Sequence, residues 1–514
     1  MNLGIDFGTT RTVVACCDRG NYPIVGFVDG SGETRDFFPS VVAERGGELL
    51  FGLDALQAPA DGCSVLRSFK RLLSAASASP ELAVDVGRVS IGLSDLLVRF
   101  ASALRTAILG CSNLPASVDR DAELAAVIAT PANAMGAQRF LTLDAFRRAG
   151  FDVAAMLNEP SAAGFEYTHR YRNTLTRTRE HIVVYDLGGG TFDASLVRMS
   201  GHHHDAVATA GLARLGGDDF DAALADLVLQ EAGHLSLPAR KLADLRERCR
   251  EAKEALSPNT RRISIDLEAL GVHGATEATI RVADFYEACA PLIQQTIDAM
   301  APVMARLDAA DGAVPGEIAG IYVVGGGSCL PAVGRALRER FGRRVHRSPY
   351  PFAATAIGLA IASDERAGFE LEDRFSRCFG VFREAQCGRE ISFDPIFTRE
   401  TRVPAPGSAD PVARRRVYRA AHNVGHFRMI ECAEIDERGA PQGEITPVAD
   451  VLFPFEAALR ESRDDLGSVP VLRTASGPLI EERYRLDANG IVELRIIDLD
   501  TGFERAYRVG ESRA

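Results

Sequence analysis

Ile182-Val183-Val184-Tyr185-Asp186-Leu187-Gly188-Gly189-Gly190-Thr191-Phe192-Asp193 decides how the rest of the chain is read. The apolar, β-branched opening predicts a buried strand. Three adjacent glycines then carry a high entropy cost, which backbone approaching a ligand closely would justify. Asp186 at the strand end and Asp193 beyond the turn are placed to hold a hydrated Mg²⁺ beside phosphate oxygens, with the Thr191 hydroxyl in the same turn. A glycine-rich hairpin with solvated aspartates fits this stretch equally well when it is taken alone. A second copy of the device shifts the balance. Leu3-Gly4-Ile5-Asp6-Phe7-Gly8-Thr9-Thr10 also runs strand, Asp, apolar residue, Gly, Thr, and Val13 to Cys17 reads as the returning strand. Two such turns predict a duplicated lobe with a nucleotide between the copies.

The bulk composition narrows the class. A chain of 514 residues is too long for one core and predicts two or more domains. Its 46% hydrophobic and 25% charged content is that of a globular protein. A net charge of -12 with no long basic stripe argues against nucleic acid as a partner. No apolar run is long enough to span a membrane, and the N-terminus enters a strand pattern without a secretory signal. The ten cysteines form no C-x-x-C pair and are read as reduced thiols of a cytoplasmic protein. Cys16-Cys17 is expected in strand packing, and His202-His203-His204 in a solvated turn rather than a metal tract.

Taken in order, residues 29–61 predict a small irregular subdomain, and 67–73 a short helix or loop in which Lys70 alone reads as a surface cation. Helical spacing follows over 91–109. Val127 to Thr130 is a strand stopped by Pro131, after which 133–150 is helical. Asn158-Glu159-Pro160 opens the next helix, and 170–179 is a polar loop. Gly216-Gly217 opens a helix of the kind that suits an anion. Helices are expected over 240–256 and 284–307, then a third strand into Gly325-Gly326-Gly327, a helix from Pro331 and another over 352–361. From 375 to 509 short alternating runs predict a separate β domain, with Asn489-Gly490 marking a hairpin.

As an ordered set, Gly4 to Thr10, Asn158-Glu159-Pro160-Ser161-Ala162-Ala163, Asp186 to Asp193, Gly216-Gly217-Asp218-Asp219-Phe220-Asp221 and Val324-Gly325-Gly326-Gly327 resemble the heat-shock protein 70 family, the DnaK-type chaperones within the actin-like ATPase superfamily. The likeness covers most of residues 1–362. Asp487-Ala488-Asn489-Gly490-Ile491 more weakly resembles a hairpin of that family's β-sandwich peptide-binding domain. The resemblance implies an α/β fold: a two-lobed, ribonuclease H-like ATPase domain over 1–364 with its lobe boundary near 170–182, a linker over 365–374, and a β-rich domain over 375–514 without the helical lid.

The resemblance also implies ATP or ADP with Mg²⁺ in the cleft. Gly8, Thr9 and Thr10 would wrap phosphates from one side, and Gly188, Gly189, Gly190 and Thr191 from the other. Gly216, Gly217, Lys253, Ser257, Gly325, Gly326 and Gly327 complete the nucleotide site. Asp6 and Asp186 would bind Mg²⁺ through water. Lys70 would sit at the γ-phosphate, and Glu159, Thr191 and Asp193 would position the attacking water, which fits phosphoryl transfer by positioning and charge stabilisation. Pro131 and Arg139 match the family's interdomain switch. Implied partners are unfolded or extended polypeptides, a J-domain co-chaperone and a nucleotide exchange factor.

The chain departs from the family in the adenosine region. Glu254 replaces a stacking arginine, Arg250 an adenosine-contacting glutamate, and Cys329 the second stacking arginine, which removes cation–π contacts of about 0.5–2 kcal/mol each. The linker is also short of aliphatic residues. The leading expectation is an atypical, lidless ATP-dependent chaperone with slow ATP hydrolysis. A non-enzymatic ATP-sensing module, or pseudo-ATPase scaffold, with one dedicated partner is the alternative. A metabolite kinase or filament-forming relative is a third, disfavoured by Asn158-Glu159-Pro160 and the 487–491 hairpin.

Overall fold

The structure is a computed structural model that describes residues 1–58, 63–114, 124–171, 180–270, 276–306, 318–460 and 465–511. The chain forms two compact units. One comprises Met1–Asn2, Gly26–Leu157 and Leu371–Ala514; the other comprises Leu3–Val25 and Asn158–Glu370. The expected lobe boundary near 170–182 and polar loop over 170–179 fall mainly on residues outside the described ones.

The Leu3–Val25 and Asn158–Glu370 unit is built on the strand that opens the decisive stretch. Strand His181–Leu187 runs parallel to Ile318–Val324 on one side and antiparallel to Phe192–Ser200 on the other. Val345–Arg347 and His203–Leu212 extend this sheet in the two directions. The central strand is buried on both faces, as its unbroken apolar run requires. Val183, Tyr185 and Leu187 point into a core shared with helices Gly217–Glu231, Ala239–Glu254 and Val282–Ala299. Ile182 and Val184 point the other way, onto Ala163 and Tyr167 of helix Glu159–Tyr171 and Ala354 of helix Ala354–Ala362. Those two helices touch at Gly358, where a Cβ would collide with the Ala162 carbonyl.

Helix expectations for this unit hold with one break. The helix expected over 284–307 is two, Val282–Ala299 and Ala301–Ala305. Pro302 has no N–H to give the preceding turn, so the first helix ends and the proline sits in the first turn of the second.

In the other unit, strands Leu124–Thr130 and Phe151–Asn158 are neighbours in a sheet, and helices Leu93–Gly110 and Gly136–Arg148 are tied by Arg148 Nη1 donating to Ser94 Oγ at 2.9 Å. Phe27, Phe38, Phe69 and Phe100 form a chain of ring contacts. Strands Val41–Arg45, Glu48–Phe51 and Ser64–Arg67 form a three-stranded sheet, which gives the irregular subdomain its frame.

The C-terminal part of this unit is all β. Strands Glu390–Phe397, Cys378–Ala385, Val424–Ile435 and Pro441–Pro454 make one antiparallel sheet. Strands Val412–Arg419, Leu479–Leu486, Val492–Asp498 and Glu504–Arg508 make the second. Phe379, Val381, Phe397 and Phe453 from the first meet Tyr484, Leu486, Leu494 and Ile496 from the second in one core. The expected hairpin turn is present. Asp487 Oδ1 accepts the Asn489 and Ile491 N–H groups at 2.9 and 2.8 Å, and Gly490 takes φ +73°, where glycine is favoured.

Candidate glycine-walled phosphate site

Four glycine turns of the Leu3–Val25 and Asn158–Glu370 unit meet around Asp186. The first joins strands Asn2–Phe7 and Arg11–Cys16, and Gly8 N–H donates to Asp6 O at 3.1 Å. A Cβ on Gly8 would collide with the Arg11 carbonyl. The second is closed by Gly188 N–H on Thr191 O at 3.0 Å. It abuts the first: a Cβ on Gly189 would lie 2.9 Å from Thr10 Cγ2. The third opens helix Gly217–Glu231. Gly217 N–H donates to Gly188 O at 2.9 Å and Asp218 N–H to Gly189 O at 2.8 Å, so a Cβ on Gly216 would meet the Gly189–Gly190 peptide at 2.6 Å. The fourth is Gly325 (φ +82°), whose Cβ would strike Asp186 Oδ1, and Gly327, whose Cβ would lie 2.6 Å from Gly188 O. Glycine occurs at these positions because backbone passes backbone with no room for a side chain.

Asp186 and Asp193 stand directly opposite in the Asp186↔Asp193 register and are 7% and 3% exposed. Thr9 is buried as well. Hard oxygen donors beside glycine backbone suit a cation held with phosphates. Lys253, on helix Ala239–Glu254, donates to Gly217 O at 2.8 Å and pairs with Asp221 at 2.6 Å. Burial pushes the Asp221 carboxyl up to about 6, with the Lys253 ammonium acting against the rise.

The end of that helix carries a rim of charge. Glu254 pairs with Arg11, the residue after the first turn, and with Arg250 at 3.5 Å. Arg250 also holds Glu247. Cys329, in the turn after the fourth glycine group, lies in the field of Arg347, Arg11 and Glu254, and burial raises its thiol. The Ser257 hydroxyl is 3.0 Å from Thr260 Oγ1.

A family model described as Hsp70 protein matches residues 2–375. The chain belongs to the Hsp70 family. The family is one of chaperone-type ATPases, which bind ATP or ADP with Mg²⁺ and typically act on unfolded polypeptides with co-chaperones. The residues here fit those groups. The turns leave bare backbone where phosphates would need N–H donors. The buried Asp186 carboxylate, with half-buried Asp6 in the first strand, suits Mg²⁺, which keeps most of its water and takes one or two protein oxygens. Among the described residues no group of three or more His, Cys, Asp or Glu could hold a metal, and no helix is long and apolar enough to cross a membrane.

Two places differ from a plain reading of the sequence. Lys70 is not a surface cation. It is 6% exposed within the 3₁₀ helix Phe69–Ser74, where Phe69 packs edge-on to Phe100. The histidine tract is a solvated turn only at His202. His203–Leu212 is a strand, and His204 within it is fully buried. There His204 stacks on Phe165 and lies 3.1 Å from Thr168 Oγ1. Glu159 is buried at the start of helix Glu159–Tyr171, directly after strand Phe151–Asn158.

Pro131 and Arg139 lie in the other unit, and Arg139 packs against its β part. Helix Gly136–Arg148 begins just after Pro131, and its first N–H, on Gly136, donates to both Glu431 carboxylate oxygens at 3.1 Å. A carboxylate there complements the helix dipole. Arg139, one turn on, packs under the hairpin tip, its Nη1 3.4 Å from where a Gly490 Cβ would be. Burial lowers the Arg139 guanidinium from its ordinary value, opposed by Asp373, Glu431 and Asp487. Sequence reading missed Glu431 altogether, because a lone acid in a strand 295 residues away carries no local signal. Asp487 was visible only as a turn former.

Proposed function

We propose that this chain is an ATP-dependent chaperone of the Hsp70 type, binding and hydrolysing ATP between two lobes to regulate polypeptide binding by its C-terminal β domain. The convergence of four glycine turns on Asp186 carries this reading. In it, residues 1–364 are the nucleotide domain, 365–374 the linker and 375–514 the polypeptide-binding domain. Gly8, Thr9, Thr10, Gly188, Gly189, Gly190 and Thr191 hold phosphates, and Gly216, Gly217, Gly325, Gly326 and Gly327 wall the site. Lys253 fixes the third turn through Gly217 O, with Ser257 near the adenosine. Asp6 and Asp186 hold Mg²⁺ through water; the ion supplies charge neutralisation on the phosphates. Lys70, Glu159, Thr191 and Asp193 are the catalytic set, the lysine stabilising charge and the oxygens orienting water. Pro131 and Arg139 relay nucleotide state. J-domain proteins and exchange factors are the co-chaperone classes this reading implies.

A second reading rests on the rim. Glu254, Arg11 and Arg250 are engaged with one another where the family stacks adenine, which favours a module that senses ATP weakly and holds one dedicated partner. Calorimetric titration with ATP and ADP in Mg²⁺, alongside steady-state turnover, separates the two. The chaperone reading expects slow hydrolysis, stimulated by an unfolded polypeptide and lowered about 10²-fold or more by Lys70→Ala and by Asp186→Asn. Binding without turnover leaves the sensing module. No binding to the wild type rejects both.

A further inference from the structure

Two thiols of the β domain face each other across neighbouring strands. Cys378, at the start of strand Cys378–Ala385, is the register partner of Cys432 in strand Val424–Ile435. Directly opposed residues of an antiparallel pair have Cα atoms about 4.5–5.5 Å apart, inside the roughly 4.4–6.8 Å that a disulfide spans. Both side chains lie on one face, in a small apolar cluster with Ile430, Phe382 and Phe393. Both are free thiols, 4% and 0% exposed. The Cys432 thiol is 3.2 Å from the Glu434 carbonyl and within hydrogen-bond reach of the Cys378 sulfur.

We infer that Cys378 and Cys432 are a reversible dithiol–disulfide site, oxidised by a small hydroperoxide and closed as a cross-strand bond. Cys378 is the attacking sulfur: the neighbouring Cys432 thiol and the Arg399 backbone N–H and guanidinium lower its pKa from the ordinary thiol value, against burial and the Glu434 carboxylate. Burial pushes the Cys249 and Cys289 thiols up to about 12, with Lys253 lowering and Asp221 raising each of them. Direct cross-strand opposition of two sulfurs separates this pair from cysteines that merely fill a core. In the first step the Cys378 thiolate attacks a peroxide oxygen, the O–O bond breaks, and the departing oxygen takes a proton to leave as water. In the second, Cys432 attacks the sulfenic sulfur of Cys378, the S–O bond breaks, and a second water leaves with the Cys432 proton. Two thiols lose two electrons and two protons, and one hydrogen peroxide becomes two waters.

The site has a structural address. Arg377 and Glu431 adjoin the two cysteines and approach each other at 3.8 Å, and Glu431 holds the Gly136 N–H. A bond between Cys378 and Cys432 would therefore fix the strand pair that carries the anchor of helix Gly136–Arg148.

The test uses the intact, fully reduced chain. It is treated with hydrogen peroxide, its remaining thiols are alkylated, and it is digested without reductant for mass spectrometry. The expected result is a linked peptide pair containing Cys378 and Cys432, two hydrogens lighter than the separate peptides and abolished by dithiothreitol. Cys432→Ser should lose the linked pair and instead trap dimedone on Cys378. Oxidation of exposed Cys387 in the same sample, with no 378–432 link in the wild type, overturns the proposal whatever the variant does. So does a linked wild type whose Cys432→Ser variant, still folded by circular dichroism, leaves Cys378 unmodified.

Discussion

Asp221 is a carboxylate buried behind the third glycine turn, raised to about 6 by burial, with the paired Lys253 ammonium and the more weakly acting Arg250 offsetting the rise. Breaking such a pair by removing one partner costs about 3–5 kcal/mol, because the remaining charge is stranded. Lys253→Met should therefore destabilise the protein by that order at pH 8, measured by urea unfolding. The sign follows from linkage: Asp221 binds its proton more tightly folded than unfolded, so its unfavourable contribution is absent below the unfolded value near 4 and grows as pH rises through 6. The variant should recover much of its loss at pH 5, and an equal loss at both pH values would reject the role given to Asp221. Glycine positions near the same turn make a sharper contrast. A Cβ on Gly216 meets backbone at 2.6 Å, which cannot move aside, whereas one on Gly326 meets nothing within 4 Å. Gly216→Ala should lower stability by about 1–3 kcal/mol, and Gly326→Ala by only a few tenths or not at all. Equal melting temperatures for the two variants would mean the third turn is not packed as described.

One strand shows how an element can hide its purpose. Strand His203–Leu212 starts inside the histidine tract and buries His204, Asp205 and Ala206 in succession, so a tract that looks solvated places one imidazole in the core. His204 touches Phe165, Thr168 and Phe369, and the last of these is 165 positions away. Nothing within the tract announces those neighbours, so burial there could not be read from the sequence. The glycine turns and the 487–491 hairpin were legible for the opposite reason. Their residue types answer to backbone geometry a few positions long. Phe369 packs on His202, His204 and Phe165, while Glu370 N–H donates to His202 O at 3.0 Å. Burial, with His203 and His202 nearby, depresses His204 to about 3. Its folded pKa lies below its unfolded value, so its stabilising contribution is complete above about pH 6.5 and is lost as pH falls towards 3. His204→Gln should flatten stability between pH 6.5 and 4 relative to the wild type, as followed by chemical denaturation. An unchanged acid slope would mean His204 is not what titrates there.

At the scale of the whole molecule, one compact unit joins residues 26–157 to the C-terminal β part. Sequence pattern separates those regions at a linker, because composition changes there and helical periodicity stops. The joining residues are scattered: Arg139 on a helix, Glu431 in a strand, Asp487 in a turn and Asp373 between elements. Each is an ordinary charged residue in its own stretch, and only the fold makes them a group. Burial raises the Glu431 carboxyl, while Arg377, the Gly136 N–H and Arg139 pull it back. Arg139 and Glu431 thus depend on each other: remove the guanidinium and three acids lose a shared cation, remove the carboxylate charge and the helix N-terminus loses its anion. A double-mutant cycle tests this directly. Arg139→Met and Glu431→Gln should each destabilise the protein, but together they should cost less than their sum by about 0.5–3 kcal/mol, since each single change already breaks the shared contact. If the group also relays nucleotide state, Arg139→Met should abolish stimulation of ATP turnover by unfolded polypeptide while basal turnover persists. Strict additivity in the cycle would reduce Arg139 to a local packing residue, and intact stimulation would remove it from the relay even if the cycle showed coupling.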